Sequence, residues 1–191
     1  MNYRTIIWVT ALASIHLQAQ RLTNGVYVNN RGDSIACNIK VPRLMFGGIN
    51  TQSLQKKLII QSKATRYERV RPTNARAFVF TTDSETYHFI SGEISDGKKV
   101  FLRLVDSGPR TSLYYHVLKT RYSTHETFLL RKQDGKELQI KNSMSRKKLK
   151  RRLEEFYSGD TAAELAIDAQ SISNWHYKSD IEALVRAINH S

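Results

Sequence analysis

Apolar and polar residues alternate in short stretches from Gly25 to about Lys141, and turn-forming clusters separate the stretches. A period of two is what a strand with one buried face requires. Gly25–Asn29 and Ser34–Val41 are predicted to pair around Asn30-Arg31-Gly32-Asp33, and Lys57–Ser62 gives a third strand. Arg76–Thr81 and Thr86–Ser91 flank Thr82–Glu85. Lys99–Asp106 and Thr111–Leu118 flank Ser107-Gly108-Pro109-Arg110. Glu126–Lys132 and Glu137–Lys141 flank Gln133-Asp134-Gly135-Lys136. Asp-Gly in that last turn fits a two-residue type I′ hairpin, which sets Leu129 opposite Ile140. About nine locally joined strands make an antiparallel meander, and a barrel-like sheet is one form such a meander takes.

The period changes after Lys141. Leu149, Leu153, Phe156 and Tyr157 fall at i, i+4, i+7 and i+8, one face of a helix that ends near Gly159. Asp160 is placed to cap a second helix through about Gln170, with Ala162, Leu165, Ala166 and Ala169 inward. Ser179-Asp180-Ile181-Glu182 has the spacing of a capping box. Ile181, Leu184, Val185 and Ile188 then form the apolar stripe of a third helix. The expected fold class is α+β, with strands over residues 22–141 and helices over 143–190.

The first 19 residues stand apart from both patterns. Arg4 precedes an apolar stretch from Thr5 to Leu17, and Leu17-Gln18-Ala19 sets a small residue before Gln20. This is the order of a cleavable secretory signal, and the stretch is shorter than the roughly 20 residues that span a bilayer. Cleavage after Ala19 leaves one mature domain, residues 20–191, that is exported to the periplasm or the extracellular space and carries no transmembrane span. Cys37 is the only cysteine, so an internal disulfide is excluded. It alternates with Ile35 and Ile39, which predicts a buried free thiol.

Several stretches together have a family look. They are Gly32-Asp33-Ser34-Ile35, Arg71-Pro72 leading to Ala77-Phe78, Tyr87, Val100-Phe101-Leu102-Arg103-Leu104, Gly108, and Ser112-Leu113-Tyr114-Tyr115. Leu149, Phe156-Tyr157, Asp180-Ile181, Leu184-Val185 and Asn189 close the series. Over the mature chain this resembles uncharacterised exported proteins typical of Bacteroidetes-type Gram-negative bacteria. Those proteins often carry Asp-Cys-Pro after the first C-terminal helix, where this chain has Ser158-Gly159-Asp160-Thr161. The resemblance implies a signal peptide, a β-rich fold and an envelope or extracellular location, and it implies no activity.

Charge adds the one functional lead. The chain has 30 basic and 17 acidic residues, a net +13. Lys141–Arg152 holds seven of the basic residues and no acid: Lys141, Arg146, Lys147, Lys148, Lys150, Arg151 and Arg152. The last six form the candidate anion-binding set on the first C-terminal helix. Their place at the helix start opposes the dipole, which favours acids there, and Glu154 and Glu155 follow only later. The partner this suggests is an anionic envelope component: a lipid head group, lipopolysaccharide or an acidic glycan. Nucleic acid is disfavoured, because no aromatic residue interrupts the run and the chain is exported.

Catalytic signals are weaker. The histidines show no metal-ligand spacing, Gly-x-Ser-x-Gly is missing, and Gly47-Gly48 lacks the Lys-Ser/Thr of a phosphate loop. No cofactor or metal is therefore expected. Arg31-Gly32-Asp33 spells an adhesion tripeptide, but Gly-Asp suffices as turn chemistry. His88 and His116 lie on neighbouring predicted hairpins and are placed to meet. An exported hydrolase built from them and turn carboxylates is the alternative to a non-catalytic binding module, and a structural subunit with an exposed sheet edge is a third reading.

Overall fold

A computed structural model of the chain describes residues 20–44, 48–63, 66–94, 97–169 and 177–190. The expected signal peptide, residues 1–19, lies outside the described residues. The chain divides into two compact units, one ending at Ser91 and one beginning at Gly92. The boundary falls inside a strand rather than at the change from strands to helices. Ten strands and four helices are described, so the α+β class holds with one strand more than the alternation gave.

In the first unit β1 (Gln20–Asn29), β2 (Ser34–Pro42), β3 (Leu58–Lys63), β4 (Arg66–Val70), β5 (Ala75–Thr81) and β6 (Thr86–Glu93) are ordered β6-β5-β1-β2-β3-β4, all pairs antiparallel. This is not a meander, because β5 returns beside β1. The link from β4 to β5 is only Arg71–Asn74. A linker that short reaches at most about 3.5 Å per residue, whereas four flat strand spacings measure roughly 19 Å. The sheet must therefore curl until its ends approach. It does not close into a barrel, since β4 pairs with β3 alone. Inside the curl Phe78 faces Phe89 and Phe80 faces Tyr87 across β5 and β6, with ring centroids 4.5 and 5.1 Å apart. Such cross-strand aromatic pairs fix register as well as burying area.

Two elements here escaped the pattern. Helix α1 (Thr51–Lys56) is capped by the Asn50 side chain, which accepts from the Ser53 N–H at 3.1 Å, and it buries Leu54. Strand β4 reads Arg-Tyr-Glu-Arg-Val with four exposed residues, so it shows no apolar alternation. A short, charged edge of this kind resists pairing with another chain. Cys37 shares the side of β2 that carries buried Ile39, and it is half-buried rather than buried. Burial still pushes its thiol pKa up.

In the second unit β7 (Lys99–Ser107), β8 (Thr111–Lys119), β9 (Thr124–Lys132) and β10 (Glu137–Lys141) pair in sequence order. Three helices follow: α2 (Arg146–Tyr157), α3 (Thr161–Ala169) and α4 (Tyr177–His190). Leu113, Phe128, Leu130 and Ile140 of the sheet form one buried cluster with the stripes of α2 and α4. The α2 and α4 stripes are those the 3.6-residue period gave.

Four local expectations are corrected. Ile140 pairs with Phe128 and Leu129 with Gln139, so Leu129 does not oppose Ile140. The cause is the turn: Lys132 N–H donates to Lys136 O and Gly135 N–H to Lys132 O, which makes a three-residue loop. Gly135 alone takes a positive φ, +86°, whereas type I′ needs two such residues. On α3 the buried residues are Ala163 and Ile167; of the expected set Ala166 does pack against the core, whereas Ala169 is exposed and Leu165 points out at 67% exposure. Asp160 does cap α3, accepting from the Ala163 N–H at 3.2 Å, and this sets the helix phase. Helix α4 begins at Tyr177, so Ser179 lies within its first turn rather than ahead of it.

A buried polar network ties the second unit together. The Asn189 side chain accepts from Thr111 N–H at 3.0 Å and donates to Thr111 O at 2.9 Å, replacing a strand neighbour. Tyr157 donates its hydroxyl to Thr111 Oγ1 at 3.1 Å. Gly108 makes the approach possible, because a Cβ there would overlap Asn189 Cγ. Gly108, Tyr157 and Asn189, which the family resemblance picked out separately, thus meet in one place.

Candidate anion-binding helix and the scattered polar clusters

Helix α2 starts because Ser145 caps it, its side chain accepting from the Lys148 N–H at 3.4 Å. Leu149, Leu153, Phe156 and Tyr157 are buried, so at 100° per residue Arg146, Lys147, Lys148 and Arg151 turn outward, and all four are exposed. Lys150 and Arg152 are half-buried at the margins of the buried stripe.

The six candidate cations are not equivalent. Lys150 donates to Asp168 of α3 at 3.1 Å and lies 3.6 Å from Glu154. The hydrogen bond and charge of Asp168, supported by Glu154, raise its pKa. Arg151 pairs with Glu155 at 3.5 Å along the helix, both well exposed, an arrangement worth only a few tenths of a kcal/mol. Arg152 donates to Gln139 O at 3.1 Å and so occupies a carbonyl on the outer edge of β10. At least three of the six are therefore engaged inside the molecule. The first turn, Arg146 to Lys148, projects outward, and Lys141 at the end of β10 is exposed as well.

Helix α2 has no acid in its first turn and no base in its last. The second half of the conflict is settled by another element. Lys136, in the β9–β10 turn, donates to the carbonyls of Glu155 and Phe156 at 3.3 Å each. It brings a cation to the helix C-terminus, where the dipole favours one. Lys132 adds a second, 5.1 Å from the ring centroids of both Phe156 and Tyr157. The N-terminal end keeps its positive excess. Among residues 92–191 there are 18 basic and 13 acidic side chains. Lys141–Arg152 supplies seven of the basic ones, and the other 11 are outnumbered by the acids.

The residues of the hydrolase alternative are dispersed. His88 is exposed on β6 opposite Val79, in the first unit. His116 is buried on β8 in the second unit, opposite Thr127. A cleft of about 190 Å³ gathers it with His125, Thr127, Lys141 and Asn142. His125 Nε2 lies 2.8 Å from Ser123 Oγ. The adjacent Glu126 is not an orienting acid for it, since its carboxylate accepts from the Tyr115 hydroxyl at 2.5 Å. Desolvation first, then that bond, pushes the Tyr115 pKa up.

The turn carboxylates have structural partners. Asp106 approaches Arg186 at 3.7 Å, and Asp134 accepts from the Lys136 N–H at 2.8 Å. Asp33 of the Arg-Gly-Asp turn accepts from Asn29 Nδ2 at 2.9 Å, while Asn29 Oδ1 accepts the N–H groups of Arg31 and Asp33. No group of three His, Cys, Asp or Glu side chains is arranged to hold a metal ion among the described residues. No described helix is long and apolar enough to cross a membrane.

No protein-family model matches this chain, nor does any curated protein or solved structure with which it was compared.

Proposed function

We propose that the mature chain is an exported, non-catalytic binding module that contacts an anionic envelope component through the N-terminal half of α2. The observation that carries this reading is the charge distribution of the second unit. Its basic surplus is confined to Lys141–Arg152, and Lys147 and Lys148 extend from the first helical turn into solvent. A first turn without acids keeps its amide dipoles and ammonium groups aimed at the same anion. The preferred partners are lipid head groups, lipopolysaccharide or acidic glycans, in the periplasm or outside the cell.

The triple substitution Lys147→Gln, Lys148→Gln and Arg151→Gln tests it. None of these side chains is buried, so the melting temperature is expected to stay within about 2 °C, the size of a surface change. Sedimentation with vesicles containing phosphatidylglycerol should fall, and the salt dependence of the wild type should flatten. Equal binding by wild type and variant at low salt would reduce the run to a solvated helix face. Export is checked separately by N-terminal sequencing, which should begin at Gln20 or within a few residues of it.

A further inference from the structure

The first unit carries 11 basic and four acidic residues between Gln20 and Ser91. Those acids lie away from one corner of its sheet. Asp33 belongs to the β1–β2 turn, Asp83 and Glu85 to the β5–β6 turn, and Glu68 alternates to the same side of β4 as buried Val70. On the other side, at the β2–β3–β4 corner, Ile59 pairs with Arg69, and Lys40 lies one step beyond the Ile39–Ile60 pair. Lys40 Nζ rests 5.0 Å from the centre of the Tyr67 ring.

A recess of about 200 Å³ opens at this corner, lined by Lys40, Pro42, Ser53, Leu54, Lys57 and Ile59. It exists because the chain folds back after β2. Arg43 bridges Ile49, and the Asn50 N–H donates to Pro42 O at 2.8 Å, which brings Ser53 and Leu54 of α1 to its wall. Lys40 and Lys57 are both half-buried, and neither pairs with a carboxylate among the described residues. Isolated surface lysines lay their stems on apolar groups and keep their heads in water. Here two lysines line one recess with no described carboxylate paired to either, which makes it a place of positive potential. An anion is attracted there, and Pro42, Leu54 and Ile59 offer its remainder an apolar surface.

We propose that this recess binds a small amphiphilic anion, a carboxylate or phosphate group carried on a short apolar body. Lys40 and Lys57 hold the anionic end, and Pro42, Leu54 and Ile59 hold the body. The volume is below the roughly 300–1,000 Å³ of drug-sized sites, which limits the occupant to a fragment or to the head of a lipid. The site is in a different unit from α2 and stands or falls independently of it.

Calorimetric titration of the mature chain with octanoate and octyl phosphate, with octanol and inorganic phosphate as controls, tests the assignment. At least one of the two amphiphilic anions should bind about tenfold more tightly than either control, the size of one charge-assisted contact. Lys40→Gln and Lys57→Gln should each weaken it several-fold at unchanged melting temperature, and Lys57→Arg should retain it. The Lys147/Lys148/Arg151 variant should bind like wild type. Competition between octyl phosphate and acidic vesicles would identify a lipid head as the natural occupant, and binding without such competition a soluble anion. Octanol binding as tightly as the anions, Gln variants binding as wild type, or no binding of any probe would overturn the proposal.

Discussion

Replacing Asn189 by Ala removes a side chain that stands in for a strand. The Thr111 N–H then loses its partner inside a buried site, while Thr111 O keeps the N–H of Gly108 at 3.3 Å. An orphaned buried donor costs about 1–3 kcal/mol and a lost bond to a still-satisfied carbonyl about 0.5–1.5, so the sum is about 1.5–4.5 kcal/mol. For a chain of this size about 2–4 °C accompanies each kcal/mol, which places the melting temperature roughly 3–18 °C lower. Asn189→Asp separates the two bonds, since it keeps an acceptor for Thr111 N–H but turns an oxygen toward Thr111 O. It should be at least as damaging as Ala at neutral pH and recover in part where the new carboxyl is protonated. Gly108→Ala should also destabilise strongly, because its Cβ would overlap Asn189 Cγ. Melting followed by circular dichroism, with urea midpoints as a second measure, reads all three. A loss under about 2 °C for Asn189→Ala would refute the reasoning, showing that water satisfies Thr111 as well as the amide does.

Burial, reinforced by the charge of Asp160, pushes the Tyr157 hydroxyl up to about 12 from an ordinary value of 10, against the help the Thr111 hydroxyl gives a phenolate by turning to donate to it. The folded state therefore holds this proton to higher pH than the unfolded one. The stabilisation is complete below pH 10 and is lost as pH rises through 12, roughly 2–3 kcal/mol in all, and Tyr157→Phe should flatten that part of an alkaline unfolding curve. Lys136→Gln takes the cation from the C-terminus of α2 and should cost about 0.5–1 kcal/mol in urea denaturation, although the substituted residue lies on a hairpin turn. Leu165→Gln should change stability by less than about 0.5 kcal/mol, and Ile167→Ala should cost about 2–5, which checks the phase of α3 by melting.

Periodicity alone determined those elements whose burial is one-sided. The stripe Leu149, Leu153, Phe156, Tyr157 and the stripe Ile181, Leu184, Val185, Ile188 are both fully buried where the 3.6-residue spacing put them. Phe78, Phe80 and Phe89 are inward where the two-residue spacing put them. Strand β4 was illegible because an edge strand with four exposed residues has no apolar face to alternate. On α3 the composition offered several small apolar residues, and only the cap at Asp160 and the packing of Ile167 chose among the faces. Charge behaved the same way. The sequence showed the basic run and the i,i+4 spacing that pairs Lys150 with Glu154 and Arg151 with Glu155, but it could not show that Lys150 and Arg152 would also be taken up by Asp168 and Gln139 O. Nor could it show that Lys136 would sit on the far end of that helix, or that Lys40 and Lys57 would share a recess. Local sequence sets which face of an element is apolar. Which polar groups meet across elements depends on chain returns and register, and those are decided only when the elements of each unit pack.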